Sequence, residues 1–232
     1  MMLLASCSGN STEGEVSTEG TSTTGGGNSR KIKISLPGGV PLEMVEIPGK
    51  DYRMGKYEVT QAQWEAVMGV NPSYTKGANY PVENVSWYDC QDFLKKLNAL
   101  SAVKDSGFLF RLPTEEEWEL ACRAGATGEF CKLANGTEIT KETLGLVAWF
   151  EDNSEGKPHP VGKKNPNAYG LYDMHGSVWE WTQTEDDGKR INCGGGWSYS
   201  AEDCGSSSRD WDSPSSPNFD LGFRLCASDR ID

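Results

Sequence analysis

Seven cysteines, two histidines and a serine- and aspartate-rich run near the C-terminus are the residues best equipped for chemistry in this chain. The cysteines stand at Cys7, Cys90, Cys122, Cys131, Cys193, Cys204 and Cys226, with no CxxC spacing, which argues against structural zinc. Setting Cys7 aside leaves an even set, compatible with disulfides in an exported protein. His159 in KPHPVG and His175 in DMHGS stand apart, outside any ligand-spaced motif, and read as a turn and a loop residue. No Ser-His-Asp arrangement, P-loop or paired catalytic carboxylate stands out. The run from Ser198 to Asp220 offers contact chemistry instead. Serines adapt their hydrogen bonds, while Tyr199, Trp211 and Phe219 supply rigid area at low entropy cost, the mixture found in paratopes.

These residues need a frame. The segment KIKISLPGGVPLEMVEIPG predicts a hairpin turning at Pro-Gly-Gly, and RMGKYEVT a further short strand. Three helices are signed by their caps: Thr60 with Gln63, Ser86, and Thr114 with Glu117. In the second, Cys90, Phe93, Leu94 and Leu97 form one apolar stripe. In the third, Trp118, Ala121 and Cys122 face inward, so Cys90 and Cys122 read as core thiols. Beyond about residue 125 the helix signals stop, and Gly, Asn, Pro and aromatics predict ordered loops around short strands. A formal net charge of −12 argues against nucleic acid or an anionic membrane surface as partner, and the five acids against one Arg from Ser198 to Asp220 favour a neutral or basic ligand.

At the N-terminus, Leu4-Ala5-Ser6-Cys7 fits the lipobox of bacterial lipoproteins, in which the Cys carries the lipid. The apolar run before it is short, so residues 1–7 read as a truncated lipoprotein signal with Cys7 as the lipidation site. Residues 8–30, rich in Ser, Thr and Gly, have the composition of a flexible tether. The ordered domain is expected over 31–232. The resulting picture is a protein held on the bacterial outer membrane or cell surface, touching the membrane only through its lipid.

The blocks MGKYEVTQAQWEAVMG, YPVENVSWYDC, RLPTEEEWELACRAG, NAYGLYDMHGSVWEW and GGGW…LGFRLC, in this order, resemble the formylglycine-generating-enzyme (sulfatase-modifying factor) domain. The resemblance implies an α+β, C-type-lectin-like fold: a small twisted antiparallel sheet, two main helices and extensive ordered loops. Catalytic members oxidise a substrate cysteine with two thiolates, five positions apart, on Cu(I), a soft ion that needs soft ligands. Those slots fall here at Tyr199 and Cys204, and a phenol is a poor replacement for a thiolate. The expectation is a protein that is not an enzyme, with no catalytic residue. The alternative is a copper-dependent oxidase with a rearranged thiol pair, Cys193 with Cys204.

The same family fold carries the variable proteins of diversity-generating retroelements, whose 3′ coding end is rewritten at template adenines. Laid on that pattern, Trp197, Cys204, Arg209, Pro214 and Leu221-Gly222-Phe223-Arg224 match as they stand. Ser198, Tyr199, Ser200, Asp203, Ser208, Asp210, Asp212, Ser213, Ser215, Ser216, Asn218, Phe219 and Asp220 fill the asparagine slots, each reachable from an Asn codon by changing only adenines. Trp211 fills an arginine slot between two aspartates, where exposure is expected. These fourteen are the candidate ligand-binding residues of a variable segment, 198–220. The resemblance also implies structural calcium at Asp173, Gly176, Val178 and Glu180, oxygen donors suited to a hard cation. Asp173 and Glu180 serve equally well as cap or ion-pair residues. No other cofactor is expected.

Overall fold

The computed structural model describes residues 16–17 and 31–230. The strands are β1 (Val16–Ser17), β2 (Lys31–Leu36), β3 (Val40–Glu46), β4 (Tyr52–Gly55), β5 (Phe108–Arg111), β6 (Trp179–Asp186), β7 (Lys189–Cys193), β8 (Arg209–Asp212), β9 (Leu221–Gly222) and β10 (Cys226–Asp229). The helices are α1 (Gln61–Met68), α2 (Trp87–Ala99), α3 (Ser101–Asp105) and α4 (Glu115–Arg123). The expected hairpin is β2–β3, antiparallel with Leu36 opposite Val40. Cys7 and almost all of the tether lie outside the described residues. Within the tether, Val16–Ser17 pairs with Ile34 and Lys33 as a short strand on β2.

The α+β expectation holds, with one difference in detail. There are two sheets among the described residues, not one: β1-β2-β3-β4-β10-β5 and β8-β7-β6-β9. β6 and β9 run parallel, with Trp179 opposite Leu221 and Glu180 opposite Gly222. The C-terminal segment therefore enters the second sheet at β9 and, after the three residues Phe223, Arg224 and Leu225, joins the first at β10, between β4 and β5. A parallel step of this kind leaves no hairpin signal in the sequence, because its partners are remote.

Thr60 and Thr114 each close a full capping box, as their spacing predicts, and Ser86, expected as a cap, closes one with Asp89. α1 packs on the β2–β3 hairpin and α2 on α1 and β5, and Trp64, Phe93 and Phe223 meet ring against ring at 5.3–6.0 Å. α4 presses Trp118, Ala121 and Cys122 against Ile191, Cys193 and Cys226 in a second cluster. A third joins Phe130, Cys131 and Phe150 to Ala201 and Cys204. The six described cysteines are buried and unpaired. Thr114→Ala removes an acceptor for the Glu117 amide and is expected to cost about 1 kcal/mol, read by chemical denaturation.

Candidate functional site

The segment 198–220 hangs from the frame by its backbone. The Trp197 amide donates to the Ser177 carbonyl at 2.7 Å, and the Tyr199 carbonyl accepts from Glu151 at 2.9 Å. Ser206 donates to Glu129, while Asn218 and Asp220 present carbonyls to the amides of Asn84 and Trp179 at 2.8 Å each. β8 pairs along β7 from Cys193 opposite Arg209 to Arg190 opposite Asp212. Main-chain bonds do not depend on which side chain stands at a position, so this suspension tolerates replacement of the residues it displays. The anchor itself is not replaceable in the same way. Gly195 has φ +75°, and a Cβ there would lie 2.6 Å from the Cys204 sulfur.

Most of the fourteen candidate residues face outward. Ser198, Asp203, Asp210, Trp211, Ser213, Ser215, Ser216 and Phe219 are exposed, and Tyr199, Ser200, Ser208, Asp212 and Asn218 are half-buried. Trp211 is 50% and Phe219 48% exposed. Asp220 corrects the expectation: it is buried, 1% exposed, because the parallel entry of β9 draws its carbonyl onto the Trp179 amide. Burial, then the charges of Asp212 and Asp210, pushes its carboxyl upward. Tyr199 packs edge-on to Trp179 at 5.4 Å, and Phe219 leans on the half-buried Trp197 at 5.9 Å. Trp211→Ala is expected to change unfolding free energy by less than about 0.5 kcal/mol in a denaturant titration, since its ring is displayed rather than packed.

The thiols are placed for packing. Cys204 lies in the third cluster and burial pushes its thiol up to about 12. Cys193 lies in the second cluster, against α4, with its thiol raised well above the usual range by burial. The two thiols of the rearranged pair thus sit in different apolar clusters, each held in the protonated form that binds Cu(I) poorly.

His175 is a structural bracket, not a plain loop residue. Its Nδ1 lies 2.7 Å from the Cys204 carbonyl and its Nε2 accepts from the Cys131 amide at 3.1 Å. These partners make Nδ1 the protonated nitrogen and tie the Glu202–Cys204 turn to the loop after α4. Full burial pushes the imidazole down to about 4, so it is neutral near pH 7. His159 instead stacks on Trp149 at 3.8 Å between ring centres. The sequence signal for His175 was slight, because hydrogen bonds to remote backbone leave no local motif.

The calcium slots do not fit a metal at Glu180. Arg224 donates to both of its oxygens at 2.6–2.9 Å, and Trp118 Nε1 donates to Oε2 at 2.6 Å. A guanidinium already fills the cation's role, and the ion-pair reading of Glu180 is the one the structure bears out. Asp173 Oδ2 accepts from the Gly162 amide at 2.6 Å, and Val178 gives its amide to Glu58. Among the described residues, no group of three or more His, Cys, Asp or Glu is arranged to hold a metal ion.

A chaperone protein, LppX, of Paenibacillus barcinonensis is 33% identical over 199 residues, covering 63% of this chain and 69% of that one. An inactive C-alpha-formylglycine-generating enzyme 2 of Bos taurus is 33% identical over 184 residues, covering 73% of this chain. This chain spans 57% of the length of that relative. The solved structure of Treponema denticola variable protein 1 superposes with a TM-score of 0.72 at 29% identity, covering 85% of this chain and 99% of that one. The family described as the sulfatase-modifying factor enzyme 1-like domain matches residues 4–229. The chain belongs to that family.

Proposed function

We propose that this protein is a non-catalytic, surface-displayed ligand-binding lipoprotein whose segment 198–220 sets its specificity. The observation that carries the reading is a division of labour within that segment. Trp211 and Phe219 protrude from a backbone held by main-chain bonds, while Cys204 packs inward and its partner slot holds Tyr199. Support comes from relatives named as a chaperone, an inactive formylglycine-generating enzyme and a variable protein. The anchor is Cys7, and residues 8–30 give the domain reach from a bacterial surface. The exposed acids of the face select a neutral or basic ligand.

The test has two arms. Purified protein loaded with Cu(I) and given a cysteine-bearing peptide is expected to show no oxidation; steady turnover would overturn the non-catalytic reading in favour of an oxidase. Sequencing beside the gene is expected to find a reverse transcriptase and an adenine-rich near-copy of the 3′ coding end. Absence of both would overturn diversification of 198–220.

A further inference from the structure

Among the described residues few large apolar side chains are exposed, and several of them gather in two segments that are bonded to each other. Tyr74 and Tyr88 are exposed on 70–88; Trp211 and Phe219 are exposed on 198–220. The segments meet along a seam where the Tyr88 amide donates to the Pro214 carbonyl at 3.3 Å and the Asn84 amide to the Asn218 carbonyl at 2.8 Å. Tyr88 sits on α2, off the Cys90–Phe93–Leu94–Leu97 stripe, edge-on to Trp87 at 5.7 Å. Its ring touches the core only at the edge of Trp87 and stays 56% exposed.

The seam also carries negative charge, which Lys76 near Glu83 and Lys189 near Asp212 offset only in part. Glu83 and Asp220 are both 1% exposed, and Glu83 Oε2 and Asp220 Oδ1 have no hydrogen-bond partner. Burial pushes the Glu83 carboxyl upward, and the charge of Asp220 adds to it. Asp210 and Asp212 crowd Asp220 in turn. Two lysines border the seam: Lys76 gives its ammonium to the Asn71 carbonyl, and Lys189 lies 5.6 Å from the Trp211 ring centre. Arg209 turns away to Asp186 and Glu115. Buried carboxylate oxygens without donors are costly, and a cation docked on the exposed Asp210 offsets their charge from the surface.

We propose that segment 70–88 is a second wall of the binding face, lying outside the variable segment, and that the face takes a basic polypeptide. Tyr74 and Tyr88 contact its apolar side chains, while a Lys or Arg meets the exposed Asp210 and the half-buried Asp212 beside the seam. The idea rests on the binding reading above and adds to it contacts that do not change when 198–220 changes. Rings flanking carboxylates favour cations by both charge and ring quadrupole.

The test pans phage-displayed random dodecapeptides on the full chain and measures the winners by interferometry. Enriched peptides are expected to combine Lys or Arg with apolar residues. Tyr88→Ala is expected to weaken them about tenfold, an effect of the size seen at interface aromatics. Leu109→Ala and Leu146→Ala, exposed elsewhere, are expected to leave binding unchanged. Asp210→Asn is expected to weaken binding and flatten its salt dependence, with the melting temperature confirming the fold. Wild-type affinity in Tyr88→Ala alongside loss in Trp211→Ala would overturn the second wall and leave the binding reading intact. Wild-type affinity in both would overturn the binding reading itself. Enrichment of acidic or uncharged peptides, or hits confined to a glycan array, would overturn the basic polypeptide.

Discussion

Arg224→Leu is expected to lower the melting temperature by roughly 6–20 °C or to prevent folding, the consequence of losing one half of a buried ion pair at about 3–5 kcal/mol. The guanidinium is 0% exposed and spends its donors on four partners. It bonds both oxygens of Glu180, the Gly55 carbonyl at 3.1 Å, the Tyr172 carbonyl at 3.0 Å and the Asp173 carbonyl at 3.3 Å. These groups belong to β6, β4 and the loop before β6, so a single side chain in LGFRLC fastens the first sheet to the second. Glu58, Asp173 and Glu180 all lie buried around it. Without it, three carboxylates repel one another in a poorly solvated site and three carbonyls lose their donors.

The companion variant separates charge from packing. Glu180→Gln with Arg224→Met removes both halves of the pair, leaving no orphaned charge between them, and is expected to recover much of the loss. Arg224→Lys keeps the charge but not the forked geometry, and should fall between. A calorimetric series in which Arg224→Leu melts like wild type would show that the pair contributes little. A series in which the double variant melts no higher than Arg224→Leu would place the effect in shape rather than charge.

How much of this was legible beforehand follows from where each signal resides. Local patterns carried the helix starts: Thr60 and Thr114 announce capping boxes by a spacing of three, Ser86 announces a cap, and all three form. The outward display of Trp211 followed from its two flanking aspartates. Asp220 escaped, because its burial depends on the parallel pairing of β9 with β6, a long-range step with no local pattern. Glu180 was open between metal ligand and ion pair until the fold brought Arg224 to it across forty-four positions. Tyr88 did leave a trace, as a large ring off the apolar stripe of α2, but a displayed ring and a surface accident look alike until the seam with Pro214 is seen.

Asp173→Asn and His175→Gln are expected to tilt the pH dependence of stability in opposite directions. Burial pushes Asp173 up from the ordinary 3.8 to about 6, with the Glu180 charge adding and Arg224 and Lys164 opposing. Glu58 beside it is pushed the same way. A carboxyl raised on folding holds more protons in the folded chain, so stability is fully present below about pH 4 and is lost as pH rises through 6. His175, lowered from 6.5 to about 4, works the other way: its contribution is fully present above 6.5 and is lost as pH falls through 4. Each shift corresponds to about 3 kcal/mol, so between pH 4 and 6 the two slopes largely cancel in the wild type. Asp173→Asn keeps an acceptor for the Gly162 amide and suits the positive φ of 55° at this position, while its new amide faces a site where Glu58 Oε2 lacks a partner. It is expected to be more stable than wild type at pH 7 by up to about 3 kcal/mol, and to lose that advantage toward pH 4. His175→Gln is expected to show the reverse slope, with a penalty that shrinks as the solution is acidified, because the wild-type imidazole then resists the proton it would otherwise take. Denaturant titrations at half-unit pH steps separate the limbs, and two variants that track the wild-type profile in parallel would rule out both groups as its source.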